Sequence, residues 1–308
     1  MQRMNPADLH VVTAYANPLL WQSRKRLFHR FAASMRRAGV SLTVVECVHG
    51  RRDFELAGGS DYRHIGVRAR SLVWGKENLL NIGIARLPDN WKYVAWIDAD
   101  MIFRRKDWAL ATLHALQLHD VVQPWSDCYD LGPGGEHIAH HRSFCAQYLA
   151  GAKLGTGAYT FAHPGYAWAA TRDAIDNLGG LIETAALSAA DHHMALALVG
   201  RVAESAHGGV TDAYRAPLLR WQARANRHIA GNIGVVPGTI EHLWHGPKAS
   251  RRYVERWGVL VKHGFDPAAD LVRNSWGVLE LAGNKPALRR DVARYFHQRQ
   301  EDANVAEL

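Results

Sequence analysis

Cysteine is scarce in this sequence of 308 residues, which contains only Cys47, Cys128 and Cys145. Their odd number and wide spacing exclude a disulfide framework and a cysteine-based zinc site. Isolated thiols of this kind suit a reducing compartment.

Long apolar runs are also missing. No stretch approaches the roughly 18 apolar residues that a membrane-spanning helix needs, and residues 1–8 lack the apolar segment of a secretory signal peptide. Internal repeats and low-complexity segments are absent as well. Together these absences predict a soluble, cytoplasmic protein.

Acidic residues are fewer than basic ones. The sequence has 29 aspartates and glutamates against 37 lysines and arginines, which gives a formal net charge of +8. A positive charge favours anionic partners such as sugar nucleotides, nucleic acid or a membrane surface. With 48% hydrophobic and 21% charged residues, the chain can bury a full core, which excludes extensive disorder. Its length suits one large α/β domain or two closely packed ones.

The patterns that are present alternate between strand and helix. Residues 9–14 predict a strand, and the apolar spacing over 21–37 predicts an amphipathic helix that ends at Gly39. A second strand is predicted over 42–48. This order is typical of an α/β fold with a mostly parallel sheet. Further strands are predicted at 62–67, 93–97 and 120–124, and further helices at 71–87 and 107–118.

Two carboxylates, Asp98 and Asp100, directly follow the apolar strand predicted at 93–97. Ligands of open α/β sheets bind at the carboxyl ends of the strands, and residues i and i+2 of an extended segment face the same way. We therefore expect both carboxylates to hold one divalent cation, which can neutralise a diphosphate. The simpler alternative is a pair of solvated loop residues, but the apolar runs on both sides favour a bound cation.

The segment 126–157 is rich in glycine and contains His137, His140 and His141. A long glycine-punctuated segment predicts a functional loop, such as a mobile lid. The histidines lack the spacing of a zinc site, so we expect them in a hydrated loop.

Aromatic and acidic residues stand out in the second half of the chain. If 161–172 forms a strand, Tyr166 and Trp168 share one face, either as core residues or as a surface that stacks on sugars or bases. Asp191 lies near the start of a helix predicted at 188–198. There it is either an ordinary first-turn acid or a general base that faces the reacting group.

A late group of histidines and basic residues follows the apolar run 233–236. His242 and His245 can complete a metal site with the acid pair, and Lys248 can hold phosphate oxygens. The simpler alternative is that both histidines are structural. Residues 267–308 are predicted to be mostly helical.

Six segments resemble, in the same order, those of the GT-A-fold glycosyltransferases, which transfer a sugar from a nucleotide diphosphate donor. The resemblance implies a GT-A fold, in which helices flank a Rossmann-like, mostly parallel central sheet. It implies a domain over 1–256, with a nucleotide-binding half (1–125) and an acceptor and catalytic half (126–256), and a helical C-terminal extension over 257–308. The six segments are residues 9–17, 74–78, 98–100, 165–168, 190–193 and 242–248.

The same resemblance implies ligands and residue roles. The donor is expected to be a UDP-sugar, the metal Mn²⁺ (or Mg²⁺), and the acceptor a glycan, a small molecule or DNA. Asp191 is the implied catalytic base. The implied donor-binding residues are Tyr15, Asn17, Lys76, Asn78, Asp98 and Lys248; the implied metal ligands are Asp98, Asp100, His245 and, failing it, His242; the implied acceptor-binding residues are Tyr166, Trp168 and His192.

One departure from the family pattern leaves the late metal ligand open. In the glycogenin-like pattern His-x-x-Gly-x-x-Lys the glycine lies three residues after the histidine. Counted from His242, Gly246 falls one residue late. Either His242 or His245 can therefore be the histidine that corresponds to the pattern.

Two other functions compete with glycosyl transfer. A phosphatase of the haloacid-dehalogenase kind would use Asp98 as its nucleophile and Asp100 as its acid. Against it, Ile102 stands where threonine or valine is expected, and no later Gly-Asp-x-x-x-Asp motif follows. The other competitor is a non-catalytic protein of the same fold that holds a nucleotide or nucleic acid. Binding to duplex DNA would have to weaken as salt rises, because phosphate contacts release counterions.

Overall fold

Strands and helices alternate through most of the chain in the computed structural model, which describes residues 4–155, 162–187 and 189–303. The strands within these ranges, β1 to β13 in chain order, are Leu9–Ala16, Ser41–His49, Arg63–Ala69, Tyr93–Ile97, Met101–Phe103, Val121–Gln123, Asp127–Leu131, His137–Arg142, Ala167–Thr171, Ile233–Val235, Thr239–His242, Leu271–Arg273 and Leu279–Leu281. The helices, α1 to α10, are Gln22–Ala38, Lys76–Ile84, Trp108–Ala115, Phe144–Leu149, Arg172–Leu178, Ala190–Leu198, Asp212–His228, Glu255–Lys262, Pro267–Asp270 and Pro286–His297.

The central sheet has seven strands in the order β10-β6-β9-β4-β1-β2-β3. Neighbouring strands run parallel except at β9, which is antiparallel to both β4 and β6. Short apolar strands that are covered on both faces are typical of such sheets. The predicted α/β class, with a mostly parallel central sheet flanked by helices, is confirmed.

Two hydrophobic cores cover the two faces of the central sheet. Val11 of β1 belongs to one core and its neighbour Val12 to the other, because successive side chains of a strand point to opposite faces. Both valines are fully buried. Helix α1 ends where predicted, at Gly39, whose left-handed backbone (φ 73°) suits glycine. Among the described residues, no helix has both the length and the apolar character to cross a membrane.

The segment 126–157 is not the loop that we expected from its glycines. It forms the hairpin of β7 and β8, followed by α4, while residues 156 and 157 lie outside the described ranges. The glycines supply the turn between the strands, where the N–H of Gly132 donates to the carbonyl of Glu136 (2.7 Å). Strand β8 is polar because it lies at the edge of a second sheet, of order β5-β11-β7-β8, with most of its residues exposed.

The C-terminal region is less helical and less separate than predicted. The boundary proposed after residue 256 falls inside α8, and 257–303 contains the hairpin of β12 and β13. This hairpin packs on the first half of the chain, where the backbone N–H of Leu279 donates to the side chain of Asn78 (2.9 Å). Helix α2 is also shorter than the predicted 71–87, since Trp74 instead forms a β-bridge with Leu187. The division into functional halves stays a prediction.

Candidate active site

A cavity of about 520 Å³ opens beside the carboxyl ends of β1, β2 and β4, where ligands of α/β sheets bind. Tyr15 lies near the end of β1 and Asp98 directly follows β4. The second sheet and the C-terminal region close the other sides with His242, Arg251 and Glu301. The cavity therefore gathers residues from distant parts of the chain.

The two carboxylates after β4 have different environments, contrary to the expectation that they share one face. The chain turns here, as the N–H of Met101 donates back to the carbonyl of Asp98 (3.3 Å). Lys76, the first residue of α2, holds Asp98, with 3.0 Å between Nζ and Oδ1. Asp98 and Glu77 together keep the pKa of Lys76 above its ordinary value, although burial acts to lower it. Asp98 thus makes an ion pair with Lys76 and is not among the residues that cluster around Asp100.

Asp100, His242 and His245 form a cluster that could hold a metal ion, with one ligand atom from each within 4.8 Å of the others. Asp100 Oδ2 lies 3.0 Å from His245 Nε2 and 3.7 Å from His242 Nε2. Strand pairing explains the meeting, because His242 ends β11 opposite Met101 of β5, and Asp100 directly precedes β5. The sequence left open whether His242 or His245 would lie at the metal site. The structure brings both of them to the cluster.

Asp130 supports this cluster from behind. It lies on β7 in register with His242 of β11, and its Oδ1 is 2.8 Å from His242 Nδ1. Asp130 also contacts His141 (2.6 Å), Tyr166 (2.9 Å) and Lys248. Burial acts to raise the pKa of Asp130, but its histidine hydrogen bonds and Lys248 lower it far below the ordinary value. A carboxylate on the far nitrogen of a histidine orients the ring toward a metal.

One atom of the cluster shows that a cation fits. Asp100 Oδ1 is buried and has no hydrogen-bond partner, whereas a buried carboxylate oxygen normally has one. Burial acts to raise the pKa of Asp100, but His242 and His245 lower it far below the ordinary value, so the carboxylate is ionised. Two imidazoles and one carboxylate suit a first-row transition metal better than they suit Mg²⁺, which prefers oxygen ligands.

Asp191 lies in the wall of the same cavity. It is the second residue of α6, and its Oδ1 accepts from the N–H of His192 (2.8 Å). Burial acts to raise the pKa of Asp191, but Lys76 and the N–H of His192 lower it below the ordinary value. A side chain at Gly165 would place its Cβ 2.9 Å from Asp191 Oδ2. Glycine is therefore required here for Asp191 to keep its position.

Backbone strain marks the same place. Tyr166 (φ 77°) and Ala189 (φ 87°) adopt the left-handed conformation although neither is glycine. Each such residue costs about 1–3 kcal/mol, and strain of this kind concentrates at functional sites. Tyr166 precedes β9 and Ala189 precedes α6, so the strain lies where Tyr166 and Asp191 enter the cavity.

Sequence patterns did not reveal the acid from the C-terminus. Glu301 is 2% exposed and accepts from Arg24 (Nη2 to Oε1, 2.7 Å) and Arg299 (Nε to Oε1, 2.6 Å). Its Oε2 also lies 3.7 Å from His245 Nδ1. Arg24 and Glu301 are 277 positions apart, so no local motif could have joined them. Asp302 strengthens the contact by capping the first turn of α1.

Three residues expected to bind ligands have structural contacts instead. Asn17 is buried and bonds Trp21 and Glu55. Asn78 is fully buried and joins α2 to the β12–β13 hairpin. Trp168 is 3% exposed, and its Nε1 donates to the carbonyl of Pro164 (2.6 Å). None of the three lines the cavity, because each faces a core or a turn rather than the open end of the sheet.

The remaining predicted residues do line the cavity. The hydroxyl of Tyr15 donates to Glu55 (2.7 Å), and that of Tyr166 to Asp130. Only Ala167–Thr171 of 161–172 forms a strand, and the expectation that Tyr166 and Trp168 share one face is wrong, because Tyr166 precedes the strand and the two side chains pack in different cores. Helix 188–198 is confirmed over Ala190–Leu198, while positions 161 and 188 lie outside the described residues. The cavity-lining residues that were predicted are Tyr15, Lys76, Asp98, Asp100, Tyr166, Asp191, His192, His242, His245 and Lys248.

Comparison with known proteins gives no sequence match, neither to a protein-family model nor to a curated protein. Several solved structures have a similar chain trace. A mutant of Drosophila β1,4-galactosyltransferase 7, in complex with manganese, UDP-Gal and xylobiose, is 10% identical, covers 91% of this chain and 98% of its own, and has a TM-score of 0.42. Residues 1–349 of S. aureus TarS, in complex with UDP-GlcNAc, are 10% identical to this chain and also have a TM-score of 0.42. The match covers 83% of this chain and 66% of the TarS chain.

A third similar structure comes from Desulfovibrio desulfuricans G20 and is assigned to the nucleotide-diphospho-sugar transferases. It is 10% identical, covers 95% of this chain and 98% of its own, and has a TM-score of 0.35. All three structures are 10% identical to this chain with TM-scores below 0.5, a similarity from which nothing follows about the activity or substrates of this chain.

Proposed function

We propose that this protein is a metal-dependent glycosyltransferase that moves a sugar from a nucleotide diphosphate to a hydroxyl group. The observation that carries the proposal is the cluster of Asp100, His242 and His245, in which Asp100 Oδ2 lies near both histidines and Oδ1 is buried without a partner. This cation-ready cluster shares one cavity with the ionised Asp191 and with Lys76. Metal ligands, a base and phosphate-binding cations are the groups that sugar transfer from a diphosphate requires.

Asp100, His242 and His245 would hold the metal, with Asp130 orienting His242. A divalent cation bound there would neutralise charge on the departing diphosphate. The donor set favours Mn²⁺ over Mg²⁺. Lys76 and Lys248 border the cavity and can hold phosphate oxygens as point charges. UDP as the nucleotide rests on the family resemblance alone.

Asp191 is the proposed general base. As the acceptor oxygen bonds to the anomeric carbon, its proton moves to the Asp191 carboxylate, and the bond from that carbon to the diphosphate oxygen breaks with its electron pair. Asp191 is ionised at neutral pH and so can accept the proton. Lys76 keeps its positive charge beside the cavity and stabilises the negative charge that develops on the leaving group.

The test is release of nucleoside diphosphate from UDP-, GDP- and ADP-sugars with Mn²⁺, with and without a panel of sugar acceptors. The proposal expects one donor class to turn over, faster with a suitable acceptor, and to stop in EDTA. A phosphatase would instead release phosphate from p-nitrophenyl phosphate and leave nucleotide sugars intact. A non-catalytic protein would bind a nucleotide without any turnover. DNA as the acceptor stays a hypothesis that the site does not support.

A further inference from the structure

Two buried arginines of the cavity, Arg251 and Arg256, have no acidic partner among the described residues, and Arg256 has the larger number of unpartnered donor atoms. Arg256, in the first turn of α8, is 8% exposed and lines the cavity. Its Nε and Nη1 atoms are buried without any hydrogen-bond partner. Within the described ranges, no carboxylate forms an ion pair with it. A buried charge in this condition is expensive, and proteins normally pair it.

The other buried arginines of the cavity have more hydrogen-bond partners than Arg256. Arg24 and Arg299 both donate to Glu301. Arg251 donates to the hydroxyl of Tyr253 (3.2 Å) and to His245 (2.9 Å), while its Nε alone is buried without a partner. Arg256 instead has its guanidinium 4.8 Å from the centre of the Tyr253 ring. Contact with an aromatic face stabilises the cation in part, but it leaves the N–H groups unsatisfied.

The surroundings of Arg256 form a positive arm of the cavity, which we define by Arg251, Tyr253, Arg256 and His192. Burial acts to raise the pKa of Tyr253, but Arg251, Arg256 and Arg299 outweigh it and lower that pKa. Burial lowers the pKa of His192, Asp191 acts to raise it, and the charge of Arg256 acts to lower it further. Arg256 thus acts on both a tyrosine and a histidine beside it, although Arg251 has the larger effect on the tyrosine.

The arm adjoins the proposed base. His192 directly follows Asp191 in α6, and both line the cavity with Arg256. The metal cluster lies beside the second sheet, near Asp130 and Lys248, and adjoins the arm where Arg251 donates to His245. Asp191, His192 and Arg256 line the same cavity, so one molecule can contact Asp191 and Arg256 together.

We propose that the arm binds a carboxylate or phosphate group carried by the acceptor, with Arg256 as the residue that recognises it. The inference rests on the proposed function, because it assigns the acceptor side of the same cavity. A guanidinium forms charge-assisted hydrogen bonds with such an anion, and Arg256 has two donor atoms, Nε and Nη1, without partners. The acceptor is accordingly an anionic sugar or another small hydroxyl compound with a negative charge.

The experiment is titration of three probes into protein saturated with UDP and Mn²⁺. The probes are D-glucuronate, glucose 6-phosphate and neutral glucose, and they separate a carboxylate from a phosphate and both from an uncharged sugar. We expect at least one anionic probe to bind about 10- to 100-fold more tightly than glucose, the range for a charged hydrogen bond. Arg256→Gln should remove this preference and leave UDP binding unchanged.

Arg252→Gln is the matched control, because Arg252 is exposed and contacts Gln298 rather than the cavity. Its probe binding should equal that of the wild type. Arg256→Gln removes a buried unpaired charge, so its melting temperature should be equal or higher, which separates lost recognition from lost folding. Equal binding of charged and neutral probes, or an unchanged preference in Arg256→Gln, would overturn the proposal.

Failure of the proposed function gives a different result. If UDP and Mn²⁺ do not bind, the glycosyltransferase proposal fails, and the probes are then titrated without nucleotide. Binding of glucose 6-phosphate that depends on Arg256 under those conditions would retain the anion site. Its absence would overturn that site as well.

Discussion

The two ends of the cavity differ in whether their buried charged side chains have partners. At the metal end, Asp130 meets His141, His242 and Lys248, and Asp98 meets Lys76. At the positive arm, Arg256 meets the ring of Tyr253, and two of its donors have no partner. Asp100 is the exception at the metal end, where one oxygen of an otherwise paired carboxylate is unsatisfied.

This difference separates charges that hold the fold together from charges kept for a ligand. A paired buried ion has partners whatever binds, whereas an unpaired one costs stability until a ligand arrives. Among the charged residues of the cavity with unpartnered buried atoms, Asp100 is proposed to bind a cation and Arg256 an anion. Asp191 differs from both, because its carboxylate is ionised and lines the cavity.

The largest expected effect comes from Asp191→Asn. Turnover should fall about 100- to 10,000-fold, the usual contribution of a general base, while UDP and Mn²⁺ binding stay unchanged. Asp173→Asn is the matched control, because Asp173 is also the second residue of a helix but is exposed. A turnover in Asp191→Asn equal to that of the control would contradict the role of base.

The next effect concerns Glu77, a buried acid beside Lys76 (3.6 Å). Burial, as the main cause, raises its pKa from 4.5 to about 7. The folded protein therefore keeps this proton where the unfolded chain has lost it, so the acid costs stability as pH rises from about 4.5 to 7. Glu77→Gln should remove roughly 3 kcal/mol of that loss, at 1.36 kcal/mol per pKa unit.

Urea unfolding at pH 5 and pH 8 measures the Glu77 effect. Wild type should lose more stability between the two values than Glu77→Gln does. Equal losses of stability in the two proteins would show that Lys76 offsets the cost of burying the ionised Glu77 carboxylate.

A smaller effect is expected from Asp130→Asn, which removes the negative charge that pairs with His242 and Lys248 at the metal end. Mn²⁺ affinity should fall about 10- to 100-fold, as for other carboxylates that orient a metal-binding histidine. Asp127→Asn is the control on the same strand, since Asp127 pairs with His140 away from the cluster. Calorimetric titration of Mn²⁺ into both variants compares them, and identical affinities would remove the supporting role of Asp130.

The smallest effect is expected from Trp168→Phe, which sharpens the distinction between core and cavity. The change deletes one buried hydrogen bond, to Pro164, and should lower the free energy of unfolding by about 1 kcal/mol. Turnover and UDP affinity should not change, because Trp168 does not line the cavity. Weaker acceptor use at unchanged stability would restore the original expectation that Trp168 binds the acceptor.

Local patterns predicted the regular part of the molecule well. Apart from the short strand β5, the strands and helices up to residue 125 were visible because each strand of a covered parallel sheet is an apolar run and α1 carries a clear apolar face. The segment of β7 and β8 was missed, since an exposed edge strand of alternating polar residues lacks that signal. Strand pairing there depends on backbone bonds to β11, which is distant in sequence.

The site was only partly predictable for the same reason. Asp98 and Asp100 stood out by their position after a strand, but the turn between them could not be foreseen, so their separate partners were missed. Asp130, Arg256 and Glu301 belong to no motif and enter the site only through tertiary packing. Asn17 and Asn78 matched the family pattern in sequence, yet both side chains bond the fold itself.

The most direct test of the central claim is calorimetric titration of UDP, GDP and ADP in Mn²⁺ and then in EDTA, on wild type and Asp100→Asn. We predict that one nucleotide binds wild type with Mn²⁺, and that EDTA or Asp100→Asn abolishes this binding. Binding of no nucleotide to wild type, or equal binding with and without Mn²⁺, would contradict a metal-dependent nucleotide-sugar site.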